Sequence, residues 1–288
     1  MPAFLELPRL AGSAPALALL LMASVSPPVA VSAQEPEFYE RPFAANQWTY
    51  GRRVDESQLR YCVDGRDPDW EVAGAIADAI ALGLLLEPRQ YLVESNIIFD
   101  DITKVYAVML EHCDIHLGFK LIPQGYPDWV TVTRPYYDAE YVFVAANPDI
   151  QALEDLRPSR PIGATMGTSA HLRLVSYLSA LSAEDRWLTY PMGTSDLALR
   201  SLLEGKVDVA LVWAPNLWAK QREDPDYAAL RVIEPAPLPP IVLGVGAILL
   251  SNETFLRAAV DEAIAALRAD GTIADILDEY EFPARAAP

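Results

Sequence analysis

The chain has 288 residues, 52% of them hydrophobic, with 40 acids against 22 bases and a formal net charge of −18. That length suffices for one large domain or for two lobes of ordinary size. So acidic a balance excludes binding to nucleic acid backbones or anionic lipid through the general field, and leaves solubility or steering toward a basic protein partner.

Residues 1–33 read as a secretory signal. The stretch 15–31 is almost wholly apolar or small, and Val31-Ser32-Ala33 is a small-residue cleavage signature. A membrane anchor is the alternative, but Pro27-Pro28 interrupts the run and leaves it shorter than the roughly 20 apolar residues a spanning helix needs. The later apolar runs, 82–86 and 241–250, are too short to span a bilayer. A periplasmic protein with no membrane span after cleavage is expected. Its signal takes away Glu6 and Arg9, so the charge does not change. Residues 34–56 are polar, aromatic and irregular, an N-terminal extension. In an exported chain, the cysteine pair Cys62 and Cys113 suggests a disulfide; two buried free thiols are the alternative.

From residue 57 the chain alternates between strand and helix. A strand at 59–63 ends at Asp64-Gly65, and helical spacing rich in Ala and Leu covers 72–86. A second strand is expected at 89–93 and a helix at 102–110 capped by Asp101. Strands follow at 115–117 and 141–145. A second unit repeats this grammar. A strand at 161–164 leads through Gly167-Thr168-Ser169 into a helix ending near 181. Thr194-Ser195-Asp196 caps a helix to 203, Gly205 closes it as a C′ glycine, and 207–213 is a buried strand. The proline-rich run 234–240 is a linker to an apolar strand at 241–250. The tail is helical, with Asn252 capping 254–269 and Gly271-Thr272 opening 273–280. The reading is α/β, two lobes with mainly parallel sheets flanked by helices and joined by two crossover strands. Lobe I comprises 57–142 and 246–288, and lobe II 143–245. Ligand would sit between them, at the carboxyl ends of the strands.

Sites for other chemistries are poorly supported. Glu111-His112-Cys113-Asp114-Ile115-His116 concentrates metal-ligand types, but the second His falls in a strand, so the i, i+4 helical geometry of a zinc pair fails. The glycines at 163–167 do not have P-loop spacing, no Gly-x-Ser-x-Gly elbow exists, and three histidines offer no evident triad. No cofactor or metal is implied. His171, at a helix start, could meet an anion on free backbone N–H groups, or simply be solvated.

Five segments resemble, in order, the family 3 extracellular solute-binding proteins, which have the type 2 periplasmic binding fold. They are Cys113-Asp114-Ile115-His116-Leu117-Gly118, Thr133-Arg134-Pro135-Tyr136-Tyr137, Ile162-Gly163 with Gly167-Thr168-Ser169, Leu203-Glu204-Gly205-Lys206-Val207-Asp208-Val209-Ala210, and the ending 273–282. The resemblance implies a cleft lined by Asp64, Trp70, Gly118, Phe119, Leu121, Tyr126, Arg134, Tyr136, Thr168, Ser169, His171, Thr194 and Trp213. Arg134 is the charged candidate, with a structural ion pair as its alternative. Of Tyr136 and Tyr137, which alternate in direction, at most one faces the cleft. Amino-acid binders of this family place an Arg nine residues before Pro135, where this chain has Tyr126. They place an Asp five residues after Asp208, where it has Trp213, and Leu121 stands where they carry a Thr. An aromatic pair cannot supply bidentate recognition of a zwitterion, so free amino acids are not expected as ligands.

One branch shares these departures. Cys113-Asp114, Thr133 to Tyr137, and Val207-Asp208-Val209-Ala210-Leu211-Val212-Trp213-Ala214-Pro215 resemble the quinoprotein-dehydrogenase-associated proteins, the J proteins of methanol oxidation operons. That resemblance implies a non-catalytic accessory or activation factor whose partner is a periplasmic PQQ-dependent alcohol dehydrogenase or its cytochrome. Two other readings stand beside it: the receptor of an ABC permease for a small, non-amino-acid, partly aromatic or apolar solute, and, ranked last, an enzyme such as a dehydratase.

Overall fold

The computed structural model describes residues 57–94 and 102–288. The signal (1–33), the extension (34–56) and the Asp101 cap lie outside the described residues. The first unit runs β1 (Gln58–Asp64), α1 (Trp70–Gly83), β2 (Glu87–Val93), α2 (Ile102–Glu111) and β3 (Ile115–Lys120). Strand β1 pairs in parallel with β2 on one side and β3 on the other. Helix α1 covers this sheet with a stripe of buried Val72, Ala73, Ile76, Ala77, Ile80 and Ala81, the i, i+3, i+4 spacing of an amphipathic helix. It stops at Gly83, three residues short of the expected end. The next turn puts Leu85 at φ 59° and turns its side chain to solvent.

After β4 (Val130–Val132), β5 (Tyr137–Ala145) leads to the second unit: β6 (Pro161–Thr165), α3 (Ser169–Ser179), β7 (Leu188–Met192), α4 (Ser195–Leu203), β8 (Val209–Trp213), α5 (Ala214–Glu223) and β9 (Arg231–Ile233). Here β6 is parallel to both β7 and β8. Thr168 and Thr194 cap α3 and α4, each side chain accepting a hydrogen bond from the backbone N–H three residues on. The long strand β10 (Ile241–Leu250) returns to the first unit, and α6 (Thr254–Ala269), α7 (Thr272–Glu279) and β11 (Ala284–Ala286) complete the chain. The residue before α6 is Glu253, which makes no side-chain cap bond, so Asn252 is not the cap the sequence suggested.

One sheet path, β2-β1-β3-β10-β5-β8-β6-β7, unites these elements. Its two ends are parallel. Its middle is antiparallel, because β10 and β5 cross between the units and pair with each other through Ile241↔Tyr141 to Val245↔Tyr137. Close approach governs this crossing. A Cβ on Gly244 would lie 2.8 Å from Pro135 Cβ, so the 133–137 segment can lie on β10 only because that position is glycine.

Cys62 and Cys113 are joined in a disulfide with Cα atoms 5.6 Å apart. It ties β1 to the entry of β3 inside an apolar cluster that includes Tyr106, Met109, Trp129 and Ile248.

Candidate functional site

The carboxyl end of β1 opens into an acidic loop. Asp64 is buried and accepts hydrogen bonds from the Arg66 backbone N–H at 3.0 Å and from its guanidinium Nε at 2.9 Å. Asp69, also buried, accepts the Tyr137 hydroxyl at 2.5 Å. Asp67 lies between them. Burial pushes its carboxyl up to about 8, with the charges of Asp69 and Asp64 adding to the rise and those of Lys120 and Arg66 opposing it. Burial also raises Asp69, against the hydrogen bond from Tyr137 and the charge of Lys120.

Opposite this loop stands Lys120, the last residue of β3. Its Nζ lies 4.7 Å from the ring centroid of Trp213 and 5.9 Å from that of Tyr141. Those rings are register partners on β8 and β5, with centroids 4.9 Å apart. Burial lowers the Lys120 pKa, while attraction to Asp67 and Asp69 resists the fall. Loop, lysine and ring enclose a cavity of about 130 Å³ at the junction of the two units, reached by Asp67, Asp69, Lys120, Tyr137, Trp213 and Asn216. A larger cavity of about 380 Å³ adjoins it, with Trp70 and Glu71 from the first unit and Asp196, Trp218 and Lys220 from the second.

The residues expected to line the cleft are distributed as follows. Gly118 and Trp213 line the inner cavity, Trp70 the outer one, and Asp64 anchors the acidic loop through Arg66. Gly118 adopts φ +89°, and a Cβ there would lie 3.2 Å from Asp67 Oδ2, so glycine admits the acid loop. Tyr136 is buried behind the cavity, its hydroxyl accepting from the Gly118 N–H at 2.9 Å; Tyr137 is the one of the pair that lines it. Phe119, Leu121 and Tyr126 lie elsewhere. Phe119 alternates with Lys120 and packs edge-to-face on His116 and Tyr126. Leu121 and Tyr126 line a separate apolar groove of about 430 Å³, where the Tyr126 hydroxyl donates to the Lys120 carbonyl at 2.6 Å. A shared Tyr126–Trp213 pocket is therefore corrected to two separate surfaces.

Arg134 is also reassigned. Its side chain is exposed and lines neither junction cavity; its backbone N–H donates to Asp261 Oδ1 at 2.7 Å. Thr168, Ser169, His171 and Thr194 sit at the starts of α3 and α4 and likewise line neither cavity. Ser169 Oγ and His171 Nδ1 are buried there without a hydrogen-bond partner among the described residues. His112 stacks on Tyr91 with centroids 4.0 Å apart. His116 is buried in β3, its pKa pushed down to about 4 by burial.

Sequence reasoning missed Lys120, Asp67, Asp69, Tyr141 and Asn216, and it chose Tyr136 where Tyr137 lines the cavity. One signal was available: three aspartates within six residues follow a parallel strand's carboxyl end, where α/β sheets collect ligands.

No protein-family model matches the chain, and a search of curated proteins finds no match. Solved structures do match. Substrate-binding domain 2 of GlnP from Lactococcus lactis, in an open conformation, is similar with a TM-score of 0.57 and 16% identity, over 78% of this chain and 96% of that one. The ancestral amino acid-binding protein AncCDT-1, a precursor of cyclohexadienyl dehydratase, gives 0.56 and 16%, over 81% and 99%. A histidine kinase sensor domain with similarity to periplasmic binding proteins gives 0.54 and 17%, over 81% and 100%. The chain has the two-lobed periplasmic binding-protein fold. At such identities the likeness carries the fold alone, and function rests on the residues at the junction. Among the described residues no helix is long and apolar enough to cross a membrane.

Proposed function

We propose that this protein is a periplasmic, non-catalytic, solute-binding-like protein that serves as an accessory or activation factor of a PQQ-dependent alcohol dehydrogenase system and does not bind free amino acids. The observation that carries the reading is Lys120. Its ammonium lies over Trp213, the residue that stands where amino-acid binders of the resembled family carry the aspartate for the ligand ammonium. An incoming α-ammonium would meet a like charge there, and the nearby Asp67 and Asp69 already attract that lysine. The partner is suggested by the resemblance of Cys113-Asp114, Thr133 to Tyr137 and Val207 to Pro215 to the dehydrogenase-associated branch, and by a charge of −18 suited to a basic surface.

Surface plasmon resonance with a purified PQQ-dependent alcohol dehydrogenase and its cytochrome tests the partner. The Debye length falls from about 10 Å at 0.1 M to about 3 Å at 1 M ionic strength. Binding is expected to weaken across that range, chiefly through a slower on-rate. Absence of binding to either protein at low salt would sink the accessory role.

A second reading, the receptor of an ABC permease for a small non-amino-acid solute, is favoured by the roughly 380 Å³ cavity between Trp70 and Trp218, which has the size of a small-molecule pocket. Co-purification with a permease instead of a dehydrogenase would select it.

A further inference from the structure

Three polar side chains converge on the inner cavity without partners of their own. Among the described residues, the Lys120 ammonium, the Asp67 carboxyl and the Asn216 amide make no side-chain hydrogen bond and no ion pair within 4.0 Å. Each of the three is partly open to the cavity, so its polar atoms meet solvent there and are available to a polar guest. Lys120 is the strongest of them. Its three N–H donors face a cavity, and its charge is balanced only by ring faces and more distant carboxylates.

The kind of guest follows from what is already spent. Asp64 is held by Arg66, and Asp69 takes the Tyr137 hydroxyl. Burial and the neighbouring charges of Asp69 and Asp64 raise Asp67, which favours its protonated, hydrogen-donating form. The groups left free are mostly donors, and one is a full positive charge. The Trp213 ring, Pro68 and Val245 provide apolar wall. A cavity of about 130 Å³ is of the order that accommodates benzene, roughly six heavy atoms.

We propose that this cavity is a binding site for a small carboxylate that carries no amino group, with Lys120 as its counter-ion and the Asn216 amide beside it. The protein's own lysine holds the place over Trp213 that a ligand ammonium would need, so the site takes the acid and rejects the amino acid. This inference rests on reading the junction as a ligand cleft and not on the identity of the protein partner. Failure to bind a dehydrogenase would leave it standing, and failure to bind acids would leave the partner reading standing.

The test uses three probes of similar size, propionate, alanine and propionamide, titrated calorimetrically into the protein at pH 7. Propionate should bind. Alanine, which adds an ammonium, and propionamide, which removes the charge, should each bind at least about tenfold more weakly. Lys120→Met should weaken propionate at least about tenfold, and Asn216→Leu should weaken it by a smaller factor, with near-wild-type thermal unfolding checked in both. Should Lys120→Met fail to fold, Asn216→Leu and the propionamide comparison carry the decision. The proposal is overturned if neither propionate, acetate nor butyrate binds, if propionamide or alanine binds as tightly as propionate, or if a folded Lys120→Met retains wild-type affinity.

Discussion

Lys120 and Arg134 show how two bases with the same formal charge acquire different roles. Both lie near the crossing of β3 and β10, yet Lys120 ends a strand in the parity that points into the junction, while the Arg134 side chain stays in solvent. The neighbouring acid carries a testable consequence. Asp67 has its pKa raised from 3.8 to about 8 in the folded state, so the native protein holds a proton that the unfolded chain releases. Its contribution to stability is present below pH 4 and is lost as pH rises through 8. His116, lowered to about 4, acts in the opposite sense, but only up to the unfolded histidine value near 6.5. Between about pH 6.5 and 8.5 the histidine no longer contributes, and the raised carboxyls Asp67 and Asp69 remain. There the melting temperature of the wild type should fall relative to that of Asp67→Asn; parallel curves across the window would show that Asp67 is ionised in the native state.

At the scale of elements, two joints hold the first unit and the crossing. The Cys62–Cys113 disulfide closes a sequence separation of 51 residues. A loop of that length is worth about 4 kcal/mol in the chain-entropy account. Replacing both cysteines with alanine should lower the unfolding free energy by about 3–5 kcal/mol in urea titrations; an unchanged midpoint would show that the cluster around it holds β1 to β3 unaided. The second joint is the passage of 133–137 over β10. Thr133 is pinned on both sides, its hydroxyl donating to the Arg134 carbonyl at 2.8 Å and accepting from the Ala247 N–H at 2.9 Å. Gly244→Ala would place a methyl 2.8 Å from Pro135 Cβ, and a proline ring cannot swing aside. A loss of about 1–3 kcal/mol is expected, the usual cost of overpacking. Full stability in that variant would mean that the crossing strands separate freely.

For the whole molecule, the prediction concerns discrimination. Calorimetry with a panel of free α-amino acids should show no micromolar ligand, because the junction meets an ammonium with Lys120 and because Tyr126, at the expected arginine position, lies in another groove. A single micromolar amino acid would overturn that account. The fold by itself does not decide the ligand, and it is side chains at the junction that argue against an amino acid here.

Much of the architecture was legible because its determinants are local. The apolar stripe of α1 repeats at the helical period, Thr168 and Thr194 cap α3 and α4 with their own hydroxyls, and Gly205 and Gly271 take the positive φ that ends or begins a helix. The short strands β4, β9 and β11 were not legible, since three residues carry too little pattern, and nor was β7, which is mostly exposed and contains Pro191. Nor was α5, where Ala214-Pro215 reads as a break until the proline is seen in the first turn, where its missing N–H costs nothing. The site was the least legible part. The sequence by itself determined that the chain alternates strand and helix and crosses twice between units. Only the tertiary structure decided that Lys120 fills the space over Trp213 and that Tyr126 faces away from it. Those outcomes depend on strand register and on which face a residue takes where β3, β5, β8 and β10 meet, and neither is encoded within any one stretch of chain.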